Sequence, residues 1–95
     1  MTPITPRNVI RHELIGLETR VSKSTHRGYV GIRGLVVDET RNMLVIETER
    51  GRKMVPKVVS TFRFRLPDGT VVEVDGKLLV GRPEDRVKRR VRRVW

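Results

Sequence analysis

Cysteine, alanine and glutamine are all absent from this 95-residue chain, and its aromatic residues are two phenylalanines, one tyrosine and one tryptophan. Without cysteine there is no disulfide, no thiolate zinc site and no thiol nucleophile, and a cytoplasmic location is the expectation. His12 and His26 are the only histidines. His12 lies beside Glu13, but neighbours on a helix point in different directions and do not form an acid–base pair. With no ligand-spaced acidic partner for either histidine, no metal site and no catalytic residue is expected. No apolar run approaches the roughly 20 residues of a membrane-spanning helix, and no segment resembles a signal peptide. Gly28, Gly31 and Gly34 lack both the spacing and the following lysine of a phosphate-binding loop. So few aromatics leave little platform for stacking bases, and Phe62 and Phe64 are expected in the core.

What is abundant is positive charge. Lysine and arginine number 21 against 11 acidic residues, a net charge of +10. Such an excess calls for a polyanionic partner, and nucleic acid fits because neutralised phosphates release counterions. The densest run is at the end, with Arg82, Arg86, Lys88, Arg89 and Arg90 among the basic residues between Arg82 and Trp95. A second group is Arg50, Arg52, Lys53 and Lys57, and a third is Lys23 with Arg27. Arg63 and Arg65 project from one strand face, their stems on the protein and their guanidiniums outward. With Arg41, and leaving out Arg50, these are the residues expected to contact RNA. The paired carboxylates Asp38–Glu39 and Glu84–Asp85 are turn and helix-start residues rather than an acid–base pair.

Sixteen valines tilt the fold toward strands, and many charges without cysteine or glutamine suit a thermophilic source. Residues 1–15 are expected to be an arm followed by a short helix over 7–15, stopped at Gly16. Residues 16–81 form a barrel of short strands, and 82–95 a basic helix opened by Pro83. All belong to one domain. Period-two patterning places Leu17, Thr19 and Val21 on one face of a first strand, followed by a polar loop over 23–28. Further strands are expected over about 29–38, 43–48, 53–59, 62–66 and 70–74, with Leu78–Val80 after the last turn. Pro56 implies an edge or bulge, and Gly31 and Gly34 mark bulges or bends.

Several stretches carry a resemblance. Arg11-His12-Glu13-Leu14-Ile15-Gly16-Leu17, Gly31-Ile32-Arg33-Gly34, Val36-Val37-Asp38-Glu39-Thr40 with Asn42, Phe62-Arg63-Phe64 with Leu66-Pro67-Asp68-Gly69, and Gly81-Arg82-Pro83-Glu84-Asp85-Arg86 with Lys88-Arg89 occur in that order. Together they resemble the archaeal ribonuclease P protein component 1 family. The resemblance implies a mainly β, Sm-like or SH3-type antiparallel barrel with terminal helices, and a role in removing the 5′ leader of precursor tRNA. It implies that the ribonuclease P RNA holds the magnesium-dependent active site, and that this chain binds no cofactor. The implied partners are that RNA, a zinc-ribbon protein subunit, the other ribonuclease P proteins and the precursor tRNA, with no membrane. Ile4, Val9 and Ile10, together with Val87 and Val91, would meet the zinc-ribbon subunit. A small-barrel RNA protein of the translation apparatus, betrayed by co-sedimentation with ribosomal particles, and a free-standing nuclease, active without an RNA subunit, are the alternatives.

Overall fold

The computed structural model describes residues 14–81 and the backbone of 92–93. Within them the chain forms β1 (Glu18–Ser24), β2 (Arg33–Glu39), β3 (Met43–Thr48), β4 (Gly51–Pro56), β5 (Ser60–Arg65), β6 (Val71–Asp75) and β7 (Arg92–Arg93). They pair antiparallel in one sheet of order β4-β3-β2-β1-β5-β6-β7. Alternation does what the sequence pattern requires. Thr19 and Val21, Leu44 and Ile46, and Phe62 and Phe64 point inward, while Arg20, Arg63 and Arg65 point out. The inward faces build one apolar cluster, with the two phenylalanine rings stacked 6.0 Å apart at its centre. No described helix is long and apolar enough to cross a membrane.

Of the arm and helix expected over 1–15, residues 1–13 lie outside the described residues, as do 82–91 and 94–95, and Leu14 and Ile15 are not helical but lead into a turn. Gly16 does reverse the chain, at φ +95°, and its N–H donates to the Val36 carbonyl. The helix expected through residue 95 does not include Arg92 and Arg93, whose backbone pairs with Glu73 and Val72. A free sheet edge at β6 offers unpaired backbone groups there, and strand pairing satisfies them.

Other expectations change. The strand expected over 53–59 runs over Gly51–Pro56 and gives way to a turn at 57–59, and β1 continues through Ser24 into the loop expected over 23–28. The second strand begins at Arg33 instead of residue 29, because Arg27–Tyr29 close a 3₁₀ turn and Gly31 turns back at φ +88°. Leu78–Val80 is not extended: Gly76–Leu79 is a 3₁₀ turn, started by the Asp75 carboxylate accepting from the Lys77 N–H. The register shifts fall between Val21 and Lys23 and between Val36 and Asp38, not at the glycines. Gly34 is needed for space, since a Cβ there would lie 1.9 Å from the Glu47 carbonyl oxygen where β3 crosses close over β2.

Opposite ends of the sheet meet at Lys57. Its side chain is fully buried, and Nζ pairs with Glu39 Oε2 at 2.7 Å. The same ammonium donates to the carbonyls of Thr40, Arg41 and Leu79 at 2.7, 3.2 and 2.8 Å. The β2–β3 turn, the segment leaving the edge strand β4 and the segment after β6 are thereby tied together. The Gly81 N–H donating to the Arg41 carbonyl adds to the same junction. Gly76 lets the chain pass, for a Cβ there would lie 1.8 Å from the Lys57 carbonyl oxygen.

The Thr19 hydroxyl is the one buried side-chain polar atom without a partner among the described residues. Thr19→Val keeps the shape and removes the unmet group. It is expected to stabilise the protein by about 1 kcal/mol, a rise of roughly 4–8 °C in Tm. A lower Tm would mean that the hydroxyl is engaged in the folded protein.

Candidate nucleic-acid interface

Strand pairing assembles a row of charge that no stretch of sequence contains. On the outward face Arg33 of β2 lies opposite Arg20 of β1, Arg20 lies opposite Arg63 of β5, and Arg63 lies opposite Glu73 of β6. Register continues the row from Glu73 to Arg92 of β7. Strands sit about 4.8 Å apart, so three arginines stand abreast across roughly 10 Å.

Their surroundings differ. Arg63 Nε lies 3.4 Å from Glu73 Oε1, and Glu73, only 8% exposed, also accepts from the Ser22 hydroxyl at 3.2 Å. Arg20 and Arg33 are exposed and have no ion pair among the described residues. Like charges directly opposite in a sheet destabilise it. The row therefore costs the free protein stability, and a polyanion laid on it relieves the repulsion.

A second row runs beside the first. Leu35 lies opposite Glu18, Glu18 opposite Arg65, and Arg65 opposite Val71. Glu18 and Arg65 pair at 3.4 Å but both are mostly in water, so this bond adds little stability. The three arginines and the second row line a shallow groove of about 960 Å³, bordered by the β3–β4 hairpin with Glu47, opposite Leu35, and with Glu49, Arg50 and Lys53. Val30 and Leu35 on the groove are about half exposed, at 49% and 48%.

Of the residues expected to contact RNA, Arg63, Arg65 and Lys53 come together on this groove. Arg52 is exposed on β4 near Glu47, at 3.7 Å. Lys23 and Arg27 are exposed at the end of β1 and in the following turn, and Arg41 in the β2–β3 turn. Lys57 does not belong to the set: its ammonium is buried and engaged inside the protein, out of reach of a phosphate. Arg82, Arg86, Lys88, Arg89 and Arg90 lie outside the described residues, as do Ile4, Val9, Ile10, Val87 and Val91. Arg20 and Arg33 escape a search for basic clusters because each is isolated between neutral neighbours. Pairing alone makes them adjacent, and the only sequence signal is that each occupies an outward position of a period-two strand.

No group of three acidic, histidine or cysteine residues among those described could hold a metal ion. His26 packs edge-on against Tyr29, ring centres 5.8 Å apart.

The family model described as "Ribonuclease P/MRP, subunit p29" matches residues 7–89. A Ribonuclease P protein component 1 of Methanothermobacter thermautotrophicus is 56% identical over 91 residues, covering 95% of this chain and 98% of its own. One from Methanocaldococcus jannaschii is 52% identical over 90 residues, 94% of each. Among solved structures, Mth11, described as a homologue of human RNase P protein Rpp29, is 55% identical. It superposes with a TM-score of 0.58 over 80% of this chain and 99% of that one.

Proposed function

Since this chain belongs to the ribonuclease P/MRP subunit p29 family, we propose that it is a protein subunit of ribonuclease P that binds the enzyme's RNA and so supports removal of the 5′ leader from precursor tRNA. The observation that carries the RNA-binding part is the row Arg33–Arg20–Arg63, three cations in register with a single carboxylate at its end. Distributed charge on a rigid sheet holds a large RNA in shape through contacts to its phosphate backbone. The basic residues between Arg82 and Arg90 extend that charge along the chain.

Catalysis belongs to the RNA with its magnesium. Hydrolysis of a phosphodiester needs a positioned base and acid or bound metals, and this chain's arginines supply neither. Within the cytoplasmic holoenzyme its protein partner is the zinc-ribbon subunit, met through the apolar terminal residues Ile4, Val9, Ile10, Val87 and Val91.

Reconstitution tests this. Precursor tRNA incubated with the chain and magnesium alone should remain intact. Adding the chain to the ribonuclease P RNA and the remaining subunits should raise 5′ cleavage. Cleavage by the chain alone, lost on replacing His12 and His26 with alanine, would make it a protein nuclease.

A further inference from the structure

We infer that the groove over β2, β1 and β5 takes an unpaired stretch of RNA, with phosphates on Arg33, Arg20 and Arg63 and a base over Leu35 and Val30. The inference rests on the RNA-binding reading above and narrows it to one class of RNA.

The two rows differ in chemistry in the way a nucleotide differs along its length. The first is cationic, Arg33–Arg20–Arg63, and suits a phosphodiester backbone running across the strands. The second, two residues along each strand, alternates an apolar residue, a carboxylate, a guanidinium and a valine. A phosphate placed on this second row would meet Glu18 and Glu47, which lie opposite Leu35 on its two sides, with Glu49 nearby, and be repelled. A base placed there meets half-exposed Leu35 and Val30 for its face. Glu18 then offers an acceptor for an exocyclic amino group, a pairing that carboxylates make with cytosine, and Arg65 a guanidinium plane for stacking. The rows are about 7 Å apart along the strand, so a base swung out from its backbone spans them.

Concavity argues the same way. The groove lies across about four strands, roughly 14 Å, and is walled by the β3–β4 hairpin that carries Arg50 and Lys53. A double helix is convex, presents its phosphates outward and keeps its base faces stacked, so it would rest on the rims and leave Leu35 in water. An unpaired strand can descend and cover it. Backbone contact alone gives no reason for two half-exposed aliphatic side chains beside the arginines. A base face does.

The experiment measures affinity of the full chain for three RNAs of equal nucleotide number, and so of equal charge: a hairpin duplex, the same hairpin with an internal loop, and an unstructured single strand. Looped and single-stranded RNA should bind about tenfold more tightly than duplex, at the lower end of what base-stacking contacts contribute. Leu35→Thr, which keeps a strand-forming residue, should bring the ratio of unpaired to duplex affinity close to one. Equal affinity of the wild type for all three RNAs, or a ratio unchanged by Leu35→Thr, would overturn this inference while leaving RNA binding in place. Absence of measurable binding to any of the three would instead remove the RNA-binding reading beneath it.

Discussion

Lys57→Ala is expected to destabilise the protein by about 3–5 kcal/mol, the cost of removing one partner from a buried ion pair. A small domain has only about 5–15 kcal/mol in all, so the variant should be largely unfolded at the upper end of that range and melt far below the wild type otherwise. The ammonium carries one salt bridge to Glu39 and hydrogen bonds to three main-chain carbonyls. Those groups come from the β2–β3 turn and from the segment after β6, which lie far apart in strand order. Losing the cation therefore loosens the junction that holds the curved sheet together, and withdraws a charge-assisted donor from carbonyls that have left water. Lys57→Met, which keeps most of the stem, should recover the packing but not the charge, and melt between the two. A wild-type urea midpoint for Lys57→Ala, with RNA affinity lost, would return this residue to the surface role its place among Arg50, Arg52 and Lys53 suggests.

The opposite pairing of effects is expected for the arginine row. Replacing Arg20, Arg33 and Arg63 together with glutamine should weaken binding to the ribonuclease P RNA by about a hundredfold or more at fixed salt. Hydrogen bonds to charged groups contribute about 1.5–3 kcal/mol each, and neighbouring contacts do not add fully. Folding stability should stay level or rise, since the substitution removes like charges held opposite one another. Arg20 alone should cost more affinity than Arg63 alone, because Arg63 already shares its charge with Glu73 at 3.4 Å whereas Arg20 is flanked by arginines on both sides. Affinity undiminished in the triple variant would place the RNA elsewhere, with the terminal residues between Arg82 and Arg90 the next candidates.

Much of the sheet was legible in the sequence because its signal is local. Phe62, Phe64 and Leu66 alternate with Arg63 and Arg65, and all five take the side that the alternation assigns. Pro56 announces an edge, and β4 is one. Boundaries set by glycine conformation were less so. Whether Gly31 sits inside a strand or turns the chain at positive φ depends on the 3₁₀ turn before it, and nothing in Val30-Gly31-Ile32 decides between them. Lys57 was misassigned for a reason of the same kind. A lysine in a basic stretch is ordinarily solvated, and only the arrival of Glu39, Thr40 and Leu79 around it makes burial affordable. The arginine row is the extreme case: its neighbours are 13 and 43 residues apart in the numbering, Arg20 to Arg33 and Arg20 to Arg63, and meet only through the register of β1 with β2 and β5.

The salt dependence of RNA binding tests the central claim most directly. Affinity of the wild type and of the Arg20, Arg33 and Arg63 triple variant for the ribonuclease P RNA would be measured from low to moderate salt, and log affinity plotted against log salt concentration. Each arginine that neutralises one phosphate contributes roughly 0.7–0.9 to the slope. The variant's line should therefore be shallower by roughly 2 to 3 and meet the wild-type line at high salt. Parallel lines of equal slope would mean that no phosphate rests on the row.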